Sequence, residues 1–204
     1  EEKTVEPETP VKVVYVGEGK DYATLDEAVQ GVEDGTKIVL AAGEYSLSQI
    51  INKSFEIVGP NANLGAFDAR GAEALINVAK DVAGNLAAKN ITFNGVHLKG
   101  TGGGAGVPGI SFQDGGNMET LTFKSCILSD TNTFIKLQNG TSPVEILFEN
   151  CYIHTVGQFV VWSQTGKTKK VTLIGNLVDG STCGAVTNAA AALFRVRSGK
   201  LEAY

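Results

Sequence analysis

This chain of 204 residues has little charge, little proline and no long apolar run. Charged residues make up only 19%, the formal net charge is −5, and no run of Lys or Arg occurs. The basic footprint of a nucleic-acid-binding surface is missing, so no nucleic acid partner is expected. No apolar stretch reaches the roughly 20 residues that a membrane-spanning helix needs. The sequence starts without Met and shows no signal peptide, which reads as a mature or trimmed product. Five prolines against 25 glycines suit many bends and few long helices. The two histidines, His97 and His154, stand outside the Cys/His/carboxylate spacing of a zinc site. Neither a metal nor a cofactor is expected.

Repetition takes the place of these signals. The stretch ILFENCYIHTVGQFVVWS, residues 146–163, has a counterpart 25 residues earlier, TLTFKSCILSDTNTFIKLQ, and another 25 residues later, KVTLIGNLVDGS. NITFNGVHLKG lies a further 30 residues upstream of the earlier copy. Ile91, Leu121, Ile146 and Val171 form one apolar column, and Phe93, Phe123, Phe148 and Leu173 the next. Gly95, Ser125, Asn150 and Gly175 form a column of small or turn-forming residues, and Leu98, Leu128, Ile153 and Val178 close the unit. A further strand recurs in phase as GISF at 109, FIKL at 134, FVVW at 159 and LFRV at 193.

Alternating apolar residues over four or five positions describe a strand with one buried face. A Gly, Ser or Asn between strands permits left-handed backbone angles and a sharp bend. Three such strands make one coil of about 25 residues that cannot bury its apolar face alone. Stacking coils at roughly 4.8 Å pairs each strand with its copies and closes a continuous interior. The pattern predicts an all-β right-handed parallel β-helix with three strands per rung, about six rungs over residues 36–197. Val160 and Trp162 then face inward beneath Ile135 and Leu137. Cys126 and Cys151 share an inward column with Val96, where buried thiols serve as small hydrophobes. A disulfide between their rungs is the alternative, while Cys183 sits in a Gly/Ser-rich loop without a partner.

Residues 1–10, EEKTVEPETP, are acidic and Pro-containing and read as a flexible linker or tail. Residues 11–204 read as a single β-helix domain. Its entrance is legible: Thr24 and Glu27 form a capping box, and Leu25, Ala28, Val29 and Val32 line one face of a short helix that Asp34-Gly35 ends. Such a helix would cap the otherwise sticky first rung. No comparable cap follows ALFRVRSGKLEAY, so a truncated C-terminal end, or a neighbouring domain at either end, is expected.

The segments DYATLDEAV, DGTKIVLAAGEY and FEIVGPN, with the later F-x-N-C-x-I coils, resemble the pectin lyase-like right-handed β-helix superfamily over residues 11–197. They are similar in particular to secreted β-helix domains of polysaccharide-degrading bacteria. The resemblance implies an extracytoplasmic location (secreted, periplasmic or cell surface) and a carbohydrate-related role. It does not carry the catalytic residues across. Pectin methylesterases of this superfamily have QDTLY-type and GTVDFIFG-type segments whose aspartates do the chemistry. The matching segments here are DTNTFIKLQ and HTVGQFVVW, with Asn132 and Gln158 where the carboxylates belong. The polygalacturonase pattern of several aspartates with Gly-His-Gly is also missing, and only three arginines exist, Arg70, Arg195 and Arg197. No catalytic residue is assigned.

Two surface constellations remain. Ser129, His154 and Asp179 share a column outside the second strand, in the residue types of an acyl-transfer triad but without a nucleophile-elbow motif. Outside the third strand, Phe134, Lys136, Gln138, Phe159 and Arg195 form a stripe of aromatics, amide and cations. Rings suit the flat face of a sugar and cations suit its carboxylates, so this stripe is the expected substrate-binding surface for a polysaccharide, one containing uronic acid. The expected function is a carbohydrate-binding β-helix without intact pectinesterase or polygalacturonase machinery. A polysaccharide lyase or hydrolase, and a structural or adhesive surface module, are the alternatives.

Overall fold

The computed structural model describes residues 11–47, 50–51, 53–65, 76–78, 90–100, 108–112, 117–137, 142–162, 168–179, 194–196 and 200–204. Residues 1–10, Gln138 and Cys183 lie outside them. The chain opens with β1 (Val13–Val16) and α1 (Leu25–Gly31). The first coils are β2 (Thr36–Leu40), β3 (Gly43–Tyr45) and β4 (Ile50–Ile51), then β5 (Phe55–Val58), β6 (Ala62–Gly65) and β7 (Ile76–Val78). A third coil follows as β8 (Asn90–Asn94), β9 (His97–Lys99) and β10 (Pro108–Phe112). In the next two coils the second and third strands run together, giving β11 (Asn117–Lys124) with β12 (Ile127–Leu137) and β13 (Ser142–Glu149) with β14 (Tyr152–Trp162). The last elements are β15 (Lys170–Ile174), β16 (Leu177–Val178), β17 (Phe194–Val196) and β18 (Lys200–Ala203).

Every described strand pairing is parallel and joins strands one coil apart, which makes the chain a right-handed parallel β-helix. The first face is an eight-stranded sheet in the order β1-β2-β5-β8-β11-β13-β15-β18. The second and third faces share the long strands β12 and β14. The register is the one the repeat dictates: Leu121 pairs Ile91 and Ile146, and Phe148 pairs Leu173. On the third face Ile135 pairs Ile110 and Val160, and Leu137 pairs Trp162.

The bends have the expected backbone. Gly95, Ser125, Asn150 and Gly175 all sit at positive φ, at 74°, 50°, 54° and 61°. A second left-handed corner at Asp130 (φ 55°) and Thr155 (φ 52°) turns β12 and β14 from the second face to the third. Inside, Phe93, Phe123 and Phe148 stack with ring centroids 5.4 and 4.9 Å apart. Cys126 and Cys151 are buried free thiols, and Val96 in the same column is buried too. The Cys126 thiol is pushed well above its ordinary range, first by its hydrogen bond with Cys151 and then by burial.

Thr24 caps α1 through the full capping box, and Leu25, Ala28, Val29 and Val32 are buried. The helix ends at Gly31, earlier than Asp34-Gly35 suggested, because Val32 is already extended. Strand β1 adds a first-face strand before the helix, and β18 adds one after residue 197.

Phe134 departs from its expected outward place. It is 1% exposed, and its ring meets Phe123 edge-on at 5.5 Å and Phe148 at 6.4 Å. Its neighbour Ile135 is also buried, so the strict in–out alternation fails just after the Asp130 corner. The interior beside the stacked rings is where the Phe134 ring is held, and it is not available to a sugar.

Candidate functional site

On the outside of the second face, strand pairing builds two columns. Glu44, Asn63, His97, Ile127, Tyr152 and Leu177 form the first, each the register partner of the next. Lys99, Ser129 and His154 form the second, and Asp179 extends it by donating its backbone N–H to the Ile153 carbonyl. Ile127, Tyr152 and Leu177 are exposed apolar residues. The Tyr152 and His154 rings lie 4.7 Å apart at 31°.

The polar groups connect diagonally between the columns. Ser129 Oγ lies 2.8 Å from His97 Nε2 and 2.8 Å from Asp130 Oδ2. His97 Nδ1 is 3.1 Å from Asn63 Oδ1, and Asn63 Nδ2 donates to Glu44 Oε1. The histidine on Ser129 is therefore His97, from the rung below. His154, the same-column residue, contacts Thr155 Oγ1 at 3.0 Å through Nδ1. Ser129 is fully buried beneath its neighbours, whereas His97 is partly accessible. Burial holds the His97 pKa below its ordinary value. Lys99 and His154 act the same way, against a smaller pull from Asp130 and Glu44. Sequence columns missed this pair because His97 is the register partner of Ile127, two residues short of Ser129. Its ring bridges two columns, a contact that a same-column rule does not see.

On the third face, the backbone aligns Lys136 with Val161 and Val161 with Arg195. Two cation positions therefore share one column, two coils apart. Phe159 lies on β14 in the same register, beside the Val160 that pairs Ile135. The side chains of Lys136, Phe159, Trp162 and Arg195, and all of Gln138, fall outside the described residues. Gln158 is the register partner of Thr133, the residue after Asn132. Among the described residues no cluster of His, Cys, Asp or Glu is arranged to hold a metal. None of the described helices is long and apolar enough to cross a membrane.

A solved structure is similar to this architecture. A pectin methylesterase from Aspergillus niger superposes with a TM-score of 0.52, covering 91% of this chain and 72% of that one. The chain has the pectin lyase-like fold. Sequence identity over the match is 12%, so the likeness extends to the fold and no further. No family model and no curated protein matches the chain.

Proposed function

We propose that this pectin lyase-like chain binds an extended acidic polysaccharide along the outer positions of its third face, outside the cytoplasm. The observation that carries the reading is the column Lys136–Val161–Arg195, which sets two cations on one line across three coils. Polymer and coil both repeat, so a linear chain meets equivalent positions as it crosses the rungs. Gln138 supplies an amide beside the cations; Phe134 drops out because it is buried, and Phe159 holds the same register position one coil on, so the cations carry the binding. The amides at 132 and 158 favour binding without pectinesterase chemistry over the lyase or hydrolase reading.

The test is retention on a uronic-acid polymer combined with an assay for new reducing or unsaturated ends. The parent chain is expected to be retained, to release no new ends and to elute as salt screens the attraction between cations and carboxylates. Replacing Lys136 and Arg195 together with Ala should abolish retention while the circular dichroism spectrum stays unchanged. Unaltered retention of the folded double variant sinks the stripe. A parent that binds no glycan leaves the rigid-spacer role in its place, and release of ends would establish an enzyme.

A further inference from the structure

We propose that Ser129 is an acyl-transfer nucleophile, with His97 as its base, acting on a small O-acyl ester such as an acetylated hydroxyl. Asn63 commits its amide N–H to Glu44, so its carbonyl oxygen is what faces His97 Nδ1. Nδ1 must then carry the proton of the neutral ring, leaving the lone pair of Nε2 directed at Ser129 Oγ 2.8 Å away. Burial and the neighbouring Lys99 and His154 favour that neutral ring. The second partner of Ser129 Oγ, Asp130 Oδ2, is also an acceptor. Ser129 Oγ donates its one proton to Asp130 Oδ2 at rest, and the hydroxyl turns that proton to His97 Nε2 for the reaction; a base within reach, held on its far side by Asn63, is the arrangement that activates a serine.

Two further features point the same way. The residue after Ser129, Asp130, holds a left-handed φ of 55°, and its counterpart one rung on, the β-branched Thr155, holds 52°. The corner fixes where the Asp130 carboxylate meets Ser129 Oγ. Lys99 is the register partner of Ser129, one strand spacing away, exposed and without an ion pair among the described residues. Its ammonium is placed to steady negative charge developing on a carbonyl oxygen beside Ser129. Because Ser129 is buried, the accepted acyl group is small, and His97 or Lys99 must swing aside to admit it.

The chemistry balances without an oxidant or cofactor. Ser129 Oγ bonds to the ester carbonyl carbon while its proton passes to His97 Nε2. The bond from that carbon to the alcohol oxygen breaks, and the alcohol leaves with the proton from Nε2. Water then attacks the acylated Ser129, giving a proton to Nε2. The carboxylic acid departs as Ser129 Oγ recovers that proton. Ester and water become alcohol and carboxylic acid.

The probes are p-nitrophenyl acetate and a fluorophosphonate, applied to the whole chain with no glycan present, so the outcome is independent of polysaccharide binding. The expected result is a covalent phosphonyl adduct mapped by peptide mass spectrometry to Ser129, with steady release of p-nitrophenol. His97→Gln should slow both by about 100-fold, the lower end of what a general base contributes. The rate should rise with pH through a midpoint below the ordinary histidine value of 6.5, set by His97 among Lys99, His154, Asp130 and Glu44. A folded parent chain whose Ser129 stays unmodified overturns the proposal, whether or not Ser129→Ala folds. So does ester hydrolysis that persists in Ser129→Ala, or a labelling rate indifferent to His97→Gln.

Discussion

The rings of Phe123 and Phe148 lie almost parallel, 6° apart, and Phe134 closes against them from the side. Burying such a ring is worth a few kcal/mol, and removing it leaves a cavity that a stacked interior relaxes into only in part. Phe134→Ala should destabilise the fold by about 3–5 kcal/mol, read from chemical denaturation. A loss under about 1 kcal/mol would place the ring at the surface, where the period-2 reading had it. That reading failed for a local reason. Alternation holds within a flat strand, and Phe134 follows a left-handed corner at Asp130 that the sequence does not announce, since its counterpart one coil on is the β-branched Thr155 and no shared turn-forming residue marks the column. The pairing of Ser129 with His97 was hidden for a related reason. Columns are legible as equal offsets, but a long side chain leaning from one column to the next leaves no mark in the spacing.

Among the elements, the corners were the most legible part, because four successive residues at one column are Gly, Ser, Asn and Gly. Their physical cost differs. At Gly95 an added Cβ would come within 3.3 Å of the Pro60 backbone, on top of the penalty for a left-handed φ. Gly95→Ala should therefore destabilise by about 1–2 kcal/mol. Ser125 has the same backbone but is exposed, so Ser125→Gly should be neutral or stabilising by up to about 1 kcal/mol. Paired thermal melts check both signs together. The end strands β1 and β18 were illegible because each is only four residues long, lies outside the repeating pattern and pairs along just one edge in the sheet order. On β18 the Glu202 carboxylate is held down to about 2, by Lys170 first and then Lys200. A carboxylate lowered in the folded state stabilises above its ordinary value of 4.5 and loses that contribution as pH falls toward 2. Amide protection factors across Lys200–Ala203 should fall over that window ahead of those across Ile146–Phe148. Glu202→Gln should remove the difference.

At the scale of the molecule, each described strand inside the sheets, away from their ends, answers to the copy one coil below and the copy one coil above. Leu121 pairs Ile146 and Phe123 pairs Phe148, the same step of 25 residues each time. The step also carries the left-handed Ser125 onto Asn150 and the thiol of Cys126 onto that of Cys151. A chain built this way has no global template against which its length is measured. Excising residues 126–150 would join Ser125 directly to Cys151, leaving a left-handed corner followed by a buried thiol, as before. β8 and β15 would then both flank β11, and the Phe93–Phe123 stack would continue onto Leu173. The shortened protein should still melt in one cooperative transition at a lower temperature, whereas excising 20 residues from the same place should abolish folding. Length here is a quantised variable: the molecule can gain or shed whole turns as a thread gains or sheds pitch, and only fractions of a turn are forbidden.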